Sequence, residues 1–190
     1  MPIDRLPEPW LSFLGELDRR TSSRMELQCI GGFALTVAYG APRTTADLDV
    51  LWAVHQPSPD DVLESAVRGG ELHRRFGVFI DRVTVVTAPC DYISRLIPIC
   101  PDAFQHLALS TLDPCDLALC KLERNSQRDR EDVKWLARQP GFDAALLRRR
   151  YHEELREFLI GPVEGHDLTL DLWIEMLEEG QSVKKRPVDM

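Results

Sequence analysis

Two short motifs, a glycine pair and a pair of aspartates, constrain this chain more than any other part of its sequence. Gly31 and Gly32 interrupt an apolar segment that ends at Ile30, and a second short apolar segment, 33–39, follows them. This pattern predicts a strand, a sharp turn and a short helix that Gly40 can end. Because glycine has no Cβ, the backbone amides at such a turn can approach an anion directly. We therefore expect Gly31 and Gly32 to bind phosphate.

The aspartate pair lies in the next predicted strand, Asp47-Leu48-Asp49-Val50-Leu51. A strand has a side-chain period of two, so Asp47 and Asp49 share one face and Leu48 and Val50 share the other. Two neighbouring carboxylates repel each other unless a cation or hydrogen bonds compensate. Mg²⁺ prefers oxygen ligands and commonly bridges carboxylates to substrate phosphates. The strand therefore predicts a Mg²⁺ site, with Mn²⁺ as the alternative ion, beside a nucleoside triphosphate.

Arg43 and Thr45 come just before the carboxylates. Their side chains could orient a phosphate or the aspartates through charge-assisted hydrogen bonds. An arginine exposed in a surface turn is the alternative, and the residues alone do not decide between the two.

Asp81 interrupts the segment 77–87, which is rich in β-branched residues and is the strongest strand prediction in the chain. A carboxylate in an apolar strand is costly unless it is paired or faces a cleft. This cost favours an Asp81 side chain that faces a cleft. The alternative is an edge-strand aspartate that is paired with Arg82 or Arg95.

The glycine pair and the Asp-x-Asp motif together resemble the signature of the nucleotidyltransferase superfamily, which has the polymerase-β-like fold. The longer string Gly-Gly-x-Ala-Leu, then Gly-x-x-Arg-x-Thr-x-Asp-Leu-Asp, extends from Gly31 to Asp49. It is similar to bacterial nucleotidyltransferase-like domains related to abortive-infection toxins of type IV toxin–antitoxin pairs. The resemblance covers roughly residues 25–138. It implies that Asp47, Asp49 and Asp81 are the catalytic and metal-binding residues, with Asp81 helping to deprotonate the acceptor hydroxyl.

A second block, in the segments 116–124 and 128–133, resembles another part of the same toxin-like family. The resemblance implies that Lys121 contacts the triphosphate and that Arg128, Asp129 and Asp132 form the opposite wall. For Asp129, a capping box with Ser126 at the start of a helix explains the residue equally well. The nucleotide-binding residues expected from both blocks are Gly31, Gly32, Arg43, Thr45, Lys121, Arg128 and Asp132.

The composition of the 190 residues is that of an ordinary globular protein, but its charge is acidic. The chain has 31 acidic and 23 basic side chains and a net charge of -8, so a nucleic acid would have to bind at a local basic patch. The segments 74–75 and 148–150 are candidates, although exposed helix faces explain them at least as well. Five cysteines without a Cys-x-x-Cys pair indicate buried thiols in a reducing compartment. With no apolar segment long enough for a signal peptide or a membrane span, we expect a cytoplasmic protein that does not bind membranes.

These features predict an α/β (α+β) fold in which helices flank a short mixed sheet. We expect a nucleotidyltransferase-like domain at 1–139, a helical cap at 140–180 and a disordered tail at 181–190. The expected activity is Mg²⁺-dependent transfer of a nucleotidyl group from an NTP to a hydroxyl of an RNA such as tRNA, a protein or a small molecule. The resemblance adds a toxin role with an antitoxin protein as partner. The alternatives are a non-catalytic member of the fold that binds a nucleotide or a protein, and an enzyme that modifies antibiotic-type small molecules.

Overall fold

The computed structural model describes residues 6–51 and 60–184, and for residues 60, 61 and 180–184 it describes the backbone alone. In this part of the chain, helices flank a five-stranded mixed sheet, which confirms the predicted fold class. The chain divides into two compact units. The first comprises Met1–Val86 and Ile93–Leu112, and the second comprises Thr87–Tyr92 and Asp113–Met190.

The sheet belongs to the first unit. Its strands are β1 (Met25–Ile30), β2 (Asp47–Leu51), β3 (Phe79–Val83), β4 (Ile97–Ile99) and β5 (Leu107–Thr111). They are arranged in the order β3-β2-β1-β5-β4, so β1 is central. Strand β1 pairs antiparallel with β2 and parallel with β5, while β3 runs parallel to β2 and β4 runs antiparallel to β5.

The helices of the first unit cover one face of this sheet. They are α1 (Trp10–Arg20), α2 (Gly31–Phe33), which continues as a π-helical turn (Ala34–Ala38), α3 (Asp60–Ala66) and α4 (Glu71–Phe76); a 3₁₀ turn, Tyr92–Arg95, precedes β4. Helix α1 is amphipathic, and its Trp10 ring packs edge-on against Phe33 at a centroid distance of 4.9 Å. The core on this face includes Phe13, Leu14, Leu17, Leu27, Cys29, Leu48, Val50, Ile80 and Leu109.

The opposite face of the sheet, which we call the carboxylate face, carries the alternate residues of each strand. Leu48 and Val50 are buried in the core, and Asp47 and Asp49, which alternate with them along β2, are half-buried. Residues that are Cα partners on neighbouring strands direct their side chains to the same face. The registers therefore place these further residues on the carboxylate face: Glu26, Gln28, Ile30, Asp81, Pro98, Ala108 and Ser110.

The second unit is helical. It contains α5 (Pro114–Leu119), α6 (Gln127–Leu136), α7 (Ala144–Arg150), which continues as a π-helical turn (Tyr151–Leu155) and a 3₁₀ turn (Arg156–Phe158), and α8 (Val163–Lys184). Asp113 accepts a hydrogen bond from the Asp116 amide at the start of α5, and Ser126 forms a capping box with Asp129 at the start of α6. The predicted capping box of Ser126 and Asp129 is confirmed. The buried residues of this unit include Leu117, Leu122, Val133, Leu136, Leu147, Tyr151, Leu155, Leu170 and Trp173.

Strands β4 and β5 were not predicted from the sequence. Strand β4 has three residues, one of them Pro98, and the start of β5 is fixed by a side chain from α1. Asp18 accepts hydrogen bonds from the backbone amides of Gln105, His106 and Leu107 at 3.1, 2.7 and 2.8 Å. A contact across this many residues leaves no local pattern that a reading of the sequence could detect.

Three other features differ from the sequence-based expectations or extend them. The predicted strand 77–87 is shorter in the structure, where β3 spans Phe79–Val83. Cys90 is exposed, so the prediction of buried thiols is wrong for it; Cys29, Cys100 and Cys115 are buried. Helix α8 continues to Lys184, and the remaining six residues of the predicted tail lie outside the described residues. Among the described helices, none is long and apolar enough to cross a bilayer.

Candidate active site

The turn after β1 brings Gly31 into direct contact with Asp49. Gly31 has a φ of +62°, in the left-handed region that favours glycine. Asp49 is the Cα partner of Ile30, which immediately precedes the turn. A Cβ added to Gly31 would lie 1.8 Å from the Asp49 Oδ2 atom, which is far closer than atoms can approach. Only glycine therefore allows the Asp49 carboxylate to pack on this turn.

Gly32 makes a second close approach, to the segment that precedes β2. A Cβ on Gly32 would lie 2.7 Å from the Thr45 Oγ1 atom and 3.6 Å from Nη2 of Arg43. The Thr45 hydroxyl in turn donates a short hydrogen bond to Oδ1 of Asp47. The structure therefore brings Arg43 and Thr45 to the glycine turn, and Thr45 constrains one oxygen of the first aspartate.

Asp81 lies on the neighbouring strand, on the same face as the aspartate pair. In the parallel pairing of β2 with β3, Asp81 is the Cα partner of Asp49. Asp81 is exposed, and Arg82 forms an ion pair with Glu64 at 3.0 Å. Within the part of the chain that the structure describes, Asp81 has no ion pair. The alternative in which Asp81 is paired with Arg82 or Arg95 is therefore not observed there.

The chemistry of these side chains suits a hard cation. Asp47, Asp49 and Asp81 offer only oxygen atoms, the ligands that Mg²⁺ prefers, and two of them are half-buried. The carboxylate oxygens of the three aspartates do not all lie within 4.8 Å of one another. Among the described residues, the ligand atoms of Cys90, Asp91 and Glu154 do lie that close together. The three aspartates thus lie along one face of the sheet without closing around a single point.

In the second unit, Lys121 belongs to a buried ion-pair network. Its Nζ lies 2.9 Å from Oδ2 of Asp132 and 3.7 Å from Oδ1 of Asp129, and all three residues are at most 5% exposed. Arg124 donates two hydrogen bonds to Asp129, at 2.6 and 2.8 Å. Burial raises the pKa of the Asp129 carboxyl, but the hydrogen bonds from Arg124 and Ser126 outweigh burial and hold that pKa well below its usual range. Asp129 is therefore both a helix cap and an anionic partner of two cations.

Arg128 is separate from this network. It is exposed in the first turn of α6, whereas Asp132, one turn further along the helix, is buried beside Lys121. The structure pairs Lys121 with Asp132, which the motif resemblance had placed on opposite walls of a nucleotide site, and it leaves Arg128 at the surface.

A second buried charge cluster was not predicted. Arg150 is 8% exposed, and its Nη1 donates hydrogen bonds to Asp113 at 2.6 Å and to Asp116 at 2.9 Å. The sequence suggested a surface role for the whole arginine run 148–150, and this is wrong for Arg150. The signal that could have identified it is a pair of acids at the start of α5, the N-cap Asp113 and Asp116 in the first turn, which need a cation if they are buried.

Comparison with known proteins places both motif blocks in one family. No curated protein and no solved structure matches this chain. A family model matches residues 12–163, from α1 to the start of α8, and so spans the glycine turn, all three aspartates and the Lys121 network. The chain therefore belongs to the family described as nucleotidyltransferase of unknown function (DUF6036).

Proposed function

We propose that this protein transfers a nucleotidyl group from an NTP to a hydroxyl acceptor in a Mg²⁺-dependent reaction, with pyrophosphate as the leaving group. One observation carries the proposal: the Asp49 carboxylate packs against the Gly31 turn so closely that no Cβ fits between them. A turn that can bind phosphate and a carboxylate that can bind a cation are thus neighbours. When bound, Mg²⁺ lowers the pKa of the acceptor hydroxyl and balances charge on the leaving phosphates.

Each residue at the turn has a distinct role in this proposal. Gly31 and Gly32 leave the backbone amides accessible to the phosphates. Asp47 and Asp49 would hold the cation, for which Mn²⁺ is the alternative to Mg²⁺. Because Thr45 occupies one oxygen of Asp47, it orients the carboxylate and leaves the second oxygen for the cation. Arg43, beside Gly32, would add positive charge near the phosphates.

Asp81 would serve on the acceptor side. Its register with Asp49 and its exposure are consistent with a group that completes the metal site and accepts the proton of an incoming hydroxyl. It stays a prediction that the triphosphate is bound by Lys121, Arg128 and Asp132. The same holds for the acceptor, for which an RNA such as tRNA, a protein and a small molecule are the candidates. The motif resemblance is what supports a toxin role and an antitoxin partner.

Calorimetry tests the binding part of the proposal. Each of the four NTPs is titrated into the protein with Mg²⁺ and, separately, with EDTA. We expect binding only with Mg²⁺, because the aspartates would otherwise repel the triphosphate. Asp47→Asn and Asp49→Asn should weaken binding at least tenfold, whereas Asp102→Asn, at an exposed aspartate of the same unit, should not. Equal affinity in EDTA would refute the metal site.

A second assay separates catalysis from binding alone. The protein is incubated with α-labelled NTPs, Mg²⁺ and tRNA, and both the release of pyrophosphate and the transfer of label to any macromolecule, including the protein itself, are measured. We expect both signals to disappear in Asp49→Asn. Mg²⁺-dependent binding with no pyrophosphate release and no label transfer would favour the non-catalytic alternative.

A further inference from the structure

A trough lies on the carboxylate face, on the side of β1 away from β2. It encloses about 390 Å³, and its floor is formed by Ala108 and Ser110 of β5. Their Cα partners are larger: Glu26 of β1 lies beside Ala108, and Pro98 of β4 lies beside Ser110. Two small side chains between larger neighbours leave a depression along β5. The trough is therefore a direct consequence of the sequence of this strand.

The two walls of the trough differ in chemistry. On the β1 side, Nε of Arg24 forms an ion pair with Oε1 of Glu26 at 3.2 Å, so this wall offers hydrogen-bond donors and acceptors with no net charge. On the β4 side, Leu96 and Pro98 make the wall apolar, and the loop between β4 and β5 adds Phe104 together with the polar residues Gln105 and His106. A ligand that matches both walls is neutral, has an apolar face and has donors and acceptors along an edge.

We propose that this trough binds a nucleobase. A nucleobase is a neutral flat ring whose face can pack on Pro98 and Phe104 while its edge forms hydrogen bonds with Arg24, Glu26 or the Ser110 hydroxyl. The volume lies within the range of about 300–1,000 Å³ that is usual for small-molecule sites. A hydrocarbon ligand would leave the polar wall without hydrogen bonds, and a simple ion would find no net opposite charge.

The position of the trough fits a nucleotide that extends from the aspartates. Ser110 is aligned with Gln28, and Asp49 is aligned with Ile30, so the two residues are two strands and two residues apart. With strands about 4.8 Å apart and a rise of about 3.3 Å per residue, the separation is about 12 Å. An extended nucleoside triphosphate is longer than this separation, so its base can lie in the trough while its phosphates lie beside the aspartates. The inference rests on the proposed function for the choice of a nucleobase among neutral rings.

Nucleosides without metal provide the first test. The four nucleosides are titrated into the full-length protein in EDTA, and backbone amide shifts are followed by NMR. We expect saturable shifts at Glu26, Ala108 and Ser110 for at least one nucleoside. Shifts at Gly31 and Gly32 without shifts in the trough, or no binding at millimolar nucleoside, would overturn the inference. The metal-dependent binding of NTPs is measured separately, so either proposal can fail alone.

A variant that fills the trough provides the second test. Ala108→Leu should weaken nucleoside binding about tenfold or more, because the added atoms occupy the floor of the site. Ala145→Leu, at an exposed alanine of α7, is the matched control and should bind as the wild type does. Unchanged nucleoside affinity in folded Ala108→Leu would also overturn the inference. If this variant does not fold, the wild-type amide shifts decide alone.

Two further titrations of Ala108→Leu identify the source of the base. If the trough holds the base of the donor, the variant should also bind the NTP more weakly in Mg²⁺. If it holds a base of a nucleic-acid acceptor, NTP binding should be unchanged and the affinity for a dinucleotide such as ApA should fall. Loss of neither affinity would overturn the inference.

Discussion

Gly31→Ala should separate the cost of backbone strain from the loss of the site. Gly31 has a φ of +62°, and Gly40, at the end of the same helical segment, has a φ of +63°. An alanine in this left-handed region costs about 1–2 kcal/mol in either position. The surroundings differ, because a Cβ on Gly40 has nothing within 4 Å, whereas a Cβ on Gly31 would overlap Asp49. Gly40→Ala is therefore a matched control for strain.

The overlap at Gly31 involves more than the mobile end of Asp49. The new Cβ would lie 1.8 Å from Oδ2, 2.8 Å from Cγ and 3.1 Å from Cβ of Asp49. Rotation of the carboxylate alone cannot relieve contacts with Cγ and Cβ, so the whole side chain has to move. We expect both variants to lose about 1–2 kcal/mol of unfolding free energy, which lowers Tm by about 2–8 °C for a chain of this size. Gly31→Ala should lose somewhat more, and it alone should lose NTP binding.

The measurement combines thermal unfolding with calorimetry of NTP binding in Mg²⁺. We expect at least tenfold weaker binding in Gly31→Ala and wild-type affinity in Gly40→Ala. If folded Gly31→Ala binds the NTP as tightly as Gly40→Ala does, the contact between Gly31 and Asp49 is not part of an NTP site. The proposed function would then lose the observation on which it rests.

Three other predictions concern charge and hydrogen bonding. Lys121→Met should lower the unfolding free energy by about 3–5 kcal/mol in urea titrations, because it breaks the buried ion pair between Lys121 and Asp132. A loss below about 1 kcal/mol would contradict this. Burial raises the pKa of Asp18, but hydrogen bonds from three backbone amides outweigh burial and hold that pKa below its usual value. The contribution of Asp18 to the unfolding free energy should therefore be present above about pH 4 and disappear as the pH falls through the lowered pKa. Asp18→Asn removes the titrating group, so the Tm of this variant should depend less on pH in the acid range. Thr45→Val should weaken Mg²⁺-dependent NTP binding while Thr45→Ser retains it, because only serine keeps the hydroxyl that orients Asp47; equal affinities would refute that role.

The glycine turn and the aspartate pair could be predicted from the sequence because both follow from local rules. A strand with period two fixes the common face of Asp47 and Asp49. Strands that are close in sequence usually pair, and this rule favours a neighbouring position for β1 and β2. The contact of Gly31 with the Asp49 side chain needs the register as well, and it becomes visible only when Ile30 and Asp49 are known to be aligned.

Burial of charged residues could not be predicted in the same way. Lys121 and Leu117 are four residues apart in the sequence, and this spacing by itself indicates a lysine beside apolar packing. It did not indicate that Asp129 and Asp132 enclose its ammonium group. Arg150 similarly reads as one residue of a surface run, because its partners lie more than thirty positions away in the chain. In both cases the pairing residue is fixed by helix packing, which leaves no periodic signal.

The position of Asp81 shows how the core determines the site. Leu48 and Ile80 are Cα partners, and both are buried, with exposures of 0% and 2%. A slip of one residue between β2 and β3 would direct Asp81 into the core and Ile80 to the carboxylate face, since side chains alternate along a strand. Such a slip would cost both the burial of Ile80 and the desolvation of a carboxylate. The apolar pattern that holds the sheet together is thus also what aligns Asp81 with Asp49. A substitution that weakens the packing of Leu48 and Ile80 should therefore change the relative positions of the Asp49 and Asp81 carboxylates before it unfolds the protein.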